Sequence, residues 1–235
     1  MDIRAVIRDL EEIAPPDGAE EMDKGRIGLV IEGTHEIDRV ACALDATQAV
    51  ISASVRSGAD MLVVHHTPLW TPVTTVPRPL AAILKPVLSA DLNVYVMHTN
   101  FDHASGGIND TLAELLRLTS VARMSLGVCG DCSLDLPGLA RCLGFPLRTW
   151  GPVTLPGRIG VAGGSGFDPA LIEEAVSLGA GAYLSAELKH SMARSSPLPL
   201  IESTHYALEA PGMRRLAERM GWQYIDDPPL METWR

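Results

Sequence analysis

The sequence predicts an α/β protein made of two small α/β domains with mainly parallel sheets. Hydrophobic residues make up 46% of the 235 residues but aromatic residues only 5%, a balance that is typical of parallel sheets covered by helices. A strand–helix–strand pattern near the start of the chain also favours parallel pairing. A chain of this length can bury a substantial core in one large or two small domains.

The first elements follow from apolar spacing and turn residues. Residues 3–13 carry apolar side chains at helical spacing, and the Pro-Pro-Asp-Gly cluster at 15–18 ends that helix. Residues 45–60 suit a crossover helix that ends at Gly58. Four β-branched or apolar runs predict strands, at 27–31, 40–44, 61–64 and 94–97.

The later part of the chain predicts a second domain. A helix follows the glycine pair at 106–107, and from about residue 121 the sequence becomes irregular and rich in Gly, Pro and Cys. Regular patterns resume in a helical run over 169–178 and in a last helix, for which Pro211 suits the first turn. We assign 1–120 with 200–235 to a metal-binding α/β domain and 121–199 to a smaller α/β domain.

Histidines follow two of the predicted strands. Open parallel sheets bind ligands at the carboxyl ends of their strands, and His65, His66 and His98 lie at such ends. Adjacent histidines on extended backbone point in opposite directions, so His65 and His66 can each meet a different metal ion. The alternative is two ordinary polar residues at a strand end.

Carboxylates accompany these histidines. Asp102 follows His98 by four residues and can bridge two cations, although it could instead cap the following turn while His98 is a satisfied, half-buried histidine. His205 and Glu209 are spaced i,i+4, which puts both on one helix face, or they form an ordinary surface pair. Together the three segments supply the mixed nitrogen and oxygen ligands of a two-metal site.

Other residues leave alternatives open. Cys129 and Cys132 have knuckle-like spacing but no fourth zinc ligand nearby, which favours structural or incidental thiols. The glycine-rich run 163–166 is a tight turn or an anion-binding loop without the lysine of a P-loop. Glu187 with His190 is a general base and its neighbour or an exposed pair, and Asp45 is expected to cap a helix.

Composition excludes several classes of function. The formal charge of −10 opposes nucleic-acid binding, which depends on lysine and arginine. No apolar run approaches the ~20 residues that span a membrane. The sequence starts with neither a basic nor an apolar leader, and its four cysteines lack the density of a secreted disulfide scaffold. We therefore expect a cytoplasmic protein with free thiols and no membrane partner.

Long segments of the chain resemble one family, the GTP cyclohydrolase 1 type 2 homologues, also called the NGG-interacting-factor-three-like family. The resemblance lies in LDATQAVISASVRSGADMLVVHHTPLW, HTNFDHASGGINDTLAELL, the GGSG to SAELKH segment and THYALE. It implies a two-domain fold with the second domain inserted in the first, a dinuclear metal site near the interdomain cleft, and a ring-shaped homohexamer. The matching metal ligands are His65, His66, Asp102, His205 and Glu209.

The sequence departs from the family pattern at three positions near these motifs. Thr67 stands where a proline commonly follows the histidine pair, Arg26 replaces an asparagine, and Ala186 replaces a glycine before Glu187. No metal ligand is lost. The departures bear on the rim of the pocket and therefore on any substrate carried over from relatives.

The leading hypothesis for function is a hydrolase with two divalent metal ions, acting on a nucleotide or a related small anion. His98 or Glu187 would transfer protons. The metal is Zn, Mn, Fe, Co or Ni, because imidazole and carboxylate ligands do not select sharply among these ions. The alternative is a non-catalytic metal-binding or regulatory ring with protein partners, and a DNA-encircling ring ranks last because of the acidic charge.

Overall fold

The computed structural model describes residues 1–232, and its internal contacts divide the chain into two units. Unit 1 combines Met1–Ala104 with the segment from Met213 onward, and unit 2 is Ser105–Gly212. Residues 233–235 of the predicted first domain lie outside the described residues. The predicted boundaries at 120/121 and 199/200 stay a prediction, and His205 and Glu209 belong to unit 2.

Helices and strands alternate through both units. Over residues 1–104 they are α1 (Ile3–Ile13), β1 (Gly28–Ile31), β2 (Val40–Asp45), α2 (Gln48–Arg56), β3 (Met61–His66), α3 (Arg78–Ser89), β4 (Asn93–Val96) and α4 (Thr99–His103). Beyond residue 104 they are α5 (Ile108–Leu115), β5 (Thr119–Arg123), β6 (Val128–Cys132), α6 (Leu136–Leu143), β7 (Arg148–Trp150), β8 (Gly157–Val161), α7 (Pro169–Ser177), β9 (Ala182–Ser185), α8 (His190–Ser195), β10 (Leu200–Glu202), α9 (His205–Met220) and β11 (Gln223–Tyr224).

The sheet of unit 1 is mainly parallel, as predicted. Its strand order is β1-β4-β3-β2-β11, and only the β1–β4 pair is antiparallel. All residues of β4 and all but the last of β3 are buried, which is the pattern of strands covered on both faces. The four predicted strands and the opening helix are confirmed, with small shifts at their ends.

The sheet of unit 2 is mixed, so the prediction of a mainly parallel sheet is wrong there. Its order is β5-β6-β8-β9-β10-β7, and only β8, β9 and β10 run parallel to one another. Only residues 124–127 connect β5 to β6. A link this short permits a hairpin but not the crossover that a parallel pair needs.

Two of the helices that depart from the sequence-based prediction contain a proline. The last helix begins at His205 and contains Pro211 in its interior rather than in its first turn. Helix α3 was not predicted, and it contains Pro86 after the proline-rich run that precedes it. Prolines are ordinarily helix breakers because they remove an amide donor, so the sequence pattern hid both features.

The four cysteines are free thiols. Cys129 and Cys132 both lie on β6, but they pack into two different hydrophobic cores of unit 2. Burial raises the pKa of both thiols. This placement favours structural thiols over a zinc knuckle. Within residues 1–232 no helix is both long enough and apolar enough to cross a membrane.

Candidate metal centre

In unit 1 the chemistry-bearing side chains follow three adjacent parallel strands. Asp45 ends β2, His65 and His66 end β3, and His98 comes two residues after β4. The centroid of the His65 ring lies 5.0 Å from that of His66 and 5.0 Å from that of His98. The three residues offer ligand atoms that all lie within 4.8 Å of one another, so they could hold a metal ion. The expected grouping at this sheet edge is confirmed.

Each of these histidines uses its Nδ1 atom inside the protein. Nδ1 of His65 lies 2.7 Å from the carbonyl oxygen of Met97, and Nδ1 of His66 lies 2.7 Å from Asp45 Oδ1. A carbonyl or carboxylate oxygen only accepts, so Nδ1 carries the proton and donates it. In the neutral ring Nε2 then keeps its lone pair, which is the form that binds metal.

His98 is fixed in the same way by a buried carboxylate. Its Nδ1 donates to Asp23 Oδ1 across 2.7 Å, while the amide and hydroxyl of Thr99 both donate to Asp23 Oδ2. Burial by itself would raise the pKa of the Asp23 carboxyl, but the hydrogen bonds from His98 and Thr99 outweigh it and hold the pKa below its usual range. Asp23 is therefore a charged, fully buried support for His98.

Asp102 adds a carboxylate to unit 1. It lies in the short helix α4 directly after His98 and is mostly buried. Its Oδ1 is 3.6 Å from Nε2 of His65, the ring nitrogen that does not face Met97. Imidazole nitrogen and carboxylate oxygen therefore face each other, as ligands of one cation do.

Unit 2 also presents residues beyond three parallel strands. Glu187 follows β9 by two residues, and His205 opens α9 three residues after β10. Nδ1 of His205 donates to Glu187 Oε1 across 2.7 Å, and its Nε2 lies 2.8 Å from Glu209 Oε2. The predicted i,i+4 spacing on one helix face is thus observed for His205 and Glu209.

A glycine lets the backbone come close to this pair. Gly164 lies in the turn after β8 at φ +63°, and a Cβ atom there would be 2.3 Å from Glu209 Oε1 and 3.3 Å from His205 Nε2. Two other amides of the run 163–166 are already used, since Gly163 donates to Asn109 and Gly166 to Ser185. The run is therefore a tight turn beside the two donors, which favours that interpretation over an anion-binding loop.

The donor chemistry fits a transition metal in both units. Four histidines of the candidate site place Nδ1 2.7 Å from an oxygen acceptor, and they are His65, His66, His98 and His205. Histidines that ligate metal through Nε2 characteristically donate the other ring N–H to a carboxylate or carbonyl, which fixes the ring orientation and raises its basicity.

Sequence reasoning missed three of the supporting contacts. Asp45 was expected to cap a helix, but Thr47 caps α2 and Asp45 instead accepts from His66, its partner in the β2–β3 register. Glu187 pairs with His205 and not with His190. Asp23 lies 75 residues from His98 and carries no local signal, so the sequence does not point to it.

The fold and these donor sets define a member of a known family. The family model for Duf34/NIF3 (NGG1p interacting factor 3) matches residues 1–227. The chain belongs to this family, as the sequence motifs indicated.

Two relatives of this chain share the same name. A protein of Deinococcus radiodurans is 31% identical over 225 residues, covering 86% of this chain and 84% of the relative. One of Escherichia coli K12 is 32% identical over 204 residues, covering 81% and 82%. Both are named GTP cyclohydrolase 1 type 2 homolog. Among solved structures, reduced HcgD from Methanocaldococcus jannaschii matches with a TM-score of 0.82 and 26% identity, over 95% of this chain and 96% of that one.

Proposed function

We propose that this protein is a hydrolase that uses two divalent metal ions and acts on a nucleotide or a related small anion. The proposed ligands are His65, His66 and Asp102 of unit 1 with His205 and Glu209 of unit 2. The observation that carries the proposal is that His65, His66, His98 and His205 all place Nδ1 on an oxygen acceptor, the arrangement of histidines that ligate metal through Nε2.

The donor types limit the choice of metal. Each unit offers imidazole nitrogen and carboxylate oxygen, from His65 and Asp102 in unit 1 and from His205 and Glu209 in unit 2. None of the donors is a thiolate, so the ions in the proposal are Zn, Mn, Fe, Co or Ni.

The proposed chemistry is hydrolysis at an activated water. Two bound divalent ions would lower the pKa of a shared water and attract an anionic substrate despite the acidic protein. Within the chain, His98 is the proposed proton-transfer residue, since Asp23 holds its ring through Nδ1. Glu187 was the second candidate for this role, and its contact with His205 supports positioning of that ring instead.

The nucleotide part of the proposal draws on the family. The curated relatives named above carry GTP in their names, and GTP is therefore the first substrate to test. A ring-shaped homohexamer in the cytoplasm, implied by the resemblance, belongs to the same proposal. Light scattering coupled to size-exclusion chromatography measures the subunit number.

Metal analysis and turnover test the proposal together. Wild type purified without added metal or chelator should hold about two equivalents of transition metal, and His65→Ala should lose metal. His98→Ala should keep the metal but lose turnover of GTP. If the wild-type protein binds no metal even after incubation with Zn or Mn, the proposed metal site is wrong. If His98→Ala loses metal, His98 is a ligand and not a proton-transfer residue.

A further inference from the structure

Arg26 and Trp70 lie beside the histidine cluster of unit 1 and have no part in metal binding. The Trp70 ring packs edge-to-face against the His98 ring, with centroids 5.5 Å apart and planes at 87°. The guanidinium carbon of Arg26 lies 5.1 Å from the centroid of the Trp70 ring. A cationic group is thus one aromatic ring away from the histidines.

Two carbonyl oxygens hold the guanidinium in place. Arg26 Nε donates to the carbonyl oxygen of Trp70 across 2.7 Å, and its Nη1 donates to the carbonyl oxygen of Met22. Within residues 1–232 no carboxylate forms an ion pair with Arg26, so its charge is not neutralised by a neighbour. The Nη2 side of the fork has no protein partner there.

The setting distinguishes Arg26 from an ordinary surface arginine. Most exposed arginines are mobile and fully hydrated, and many lack an ion pair without functional meaning. Arg26 is half-buried and oriented by its two carbonyl contacts, and it covers Trp70, which is 44% exposed. A pre-oriented guanidinium loses little side-chain entropy on binding, and its planar fork suits oxyanions.

We propose that Arg26, held by Trp70, is the anchor for an oxyanion group of the substrate, a phosphate or a carboxylate, at the rim of the histidine cluster. That the bound anion is the substrate depends on the proposed hydrolase function, whereas the anion site itself does not.

The experiment measures anion binding by isothermal titration calorimetry at constant ionic strength, on metal-free and Mn-loaded protein. The probes are GTP, guanosine, inorganic triphosphate and citrate. The variants are Arg26→Asn, Arg26→Lys and, as a matched control in the same unit, Arg78→Asn, because Arg78 is an exposed arginine at the start of α3. Circular dichroism and metal content establish that each variant is folded and loaded.

The proposal predicts a selective loss. Arg26→Asn should weaken binding of GTP and of triphosphate by about 10-fold or more, the effect of losing a charge-assisted hydrogen bond, and should leave guanosine binding unchanged. Arg26→Lys should be intermediate, because an ammonium cannot reproduce the fork. Loss with citrate but not with triphosphate identifies a carboxylate as the anchored group. Arg78→Asn should stay within about twofold of wild type.

Three results would overturn the anchor. In the first, the wild-type protein binds neither triphosphate nor citrate. In the second, Arg26→Asn binds both anions with the affinity of the wild type. In the third, Arg78→Asn loses as much affinity as Arg26→Asn does. Failure of the proposed function looks different, since wild type would then lack metal or turnover while Arg26-dependent anion binding persisted. If Arg26→Asn hydrolyses GTP with an unchanged KM, the proposed role of Arg26 as an anchor is wrong, but the proposed hydrolase function stands.

Discussion

The two units present their candidate ligands by the same architectural rule but with different elements. In unit 1 the ends of β2, β3 and β4 carry Asp45, the His65–His66 pair and His98. In unit 2 the residues beyond β8, β9 and β10 are a glycine turn, the carboxylate of Glu187 and the start of α9. Parallel strands that end side by side bring distant parts of the sequence together in both cases.

The difference lies in what fixes each imidazole. In unit 1 the sheet register itself pairs Asp45 with His66, and the acceptors for His65 and His98 are buried. In unit 2 the acceptor for Nδ1 of His205 is Glu187, whose side chain is 60% exposed. Glu187 also has φ 62°, a left-handed conformation that is uncommon for a residue other than glycine. The acceptors that hold His65 and His98 in unit 1 are therefore more buried than the one that holds His205 in unit 2.

The largest effect is expected from removing the carboxylates that orient a histidine, which are Asp45 in unit 1 and Glu187 in unit 2. Asp45→Ala should lower the affinity for Zn or Mn by roughly 10- to 100-fold, as loss of an outer carboxylate usually does. Glu187→Ala should have the smaller effect of the two, because water can replace an exposed acceptor. Competition with a chromophoric chelator, starting from metal-free protein, measures both affinities.

Asp131→Ala is the matched control for this pair. Asp131 is a half-exposed carboxylate that pairs with Arg158, its partner in the β6–β8 register, and it is not among the proposed ligands. Its removal should leave metal affinity unchanged. Equal affinity of wild type and Asp45→Ala would show that the register pair does not support the metal site.

Sequence reasoning predicted the unit 1 sheet well and the unit 2 sheet less well. Apolar runs marked β2, β3 and β4, so the edge with His65, His66 and His98 followed from the rule for parallel strands. In unit 2 the sequence from about residue 121 was expected to be irregular, but β5 and β6 form an antiparallel hairpin there. Periodicity cannot reveal such non-local pairings.

In the candidate site, too, the residues with a local sequence pattern could be predicted and the contacts between distant residues could not. His65, His66, Asp102, His205 and Glu209 carry local patterns, namely adjacency to a strand end or i,i+4 spacing. The contacts of Asp23 with His98 and of Glu187 with His205 join residues 75 and 18 positions apart. Only the folded chain brings these together, so the roles of the supporting carboxylates could not be predicted.

A smaller effect is expected where unit 2 depends on a glycine. Gly164→Ala should lower the free energy of unfolding by about 1–3 kcal/mol, because its Cβ would overlap the carboxylate of Glu209 and the core resists overpacking. Metal affinity should fall as well, since Glu209 must move. Urea unfolding and the chelator assay measure the two quantities.

Gly144→Ala is the control for the backbone alone. Gly144 ends α6 at φ +71°, close to the φ of Gly164, but a Cβ there would have nothing within 4 Å. It should lower the free energy of unfolding by only about 1–2 kcal/mol, the cost of the left-handed conformation, and leave metal affinity unchanged. Equal metal affinity in both variants would mean that Glu209 does not need the space at Gly164.

The smallest effect is expected for Asp23, the buried carboxylate of unit 1 that accepts a hydrogen bond from His98. The pKa of Asp23 is lowered in the folded protein, so the unfolded chain binds a proton more readily than the folded one. Asp23 therefore contributes stability above the ordinary aspartate pKa of about 3.9, and that contribution is lost as the pH falls through the folded pKa. In metal-free protein, the difference in free energy of unfolding between wild type and Asp23→Asn should be largest near neutral pH and shrink below about pH 4. Urea unfolding across this range measures it, with the exposed Asp17→Asn as the control. A difference that stays constant with pH would mean that Asp23 stabilises unit 1 through packing and not through its charge.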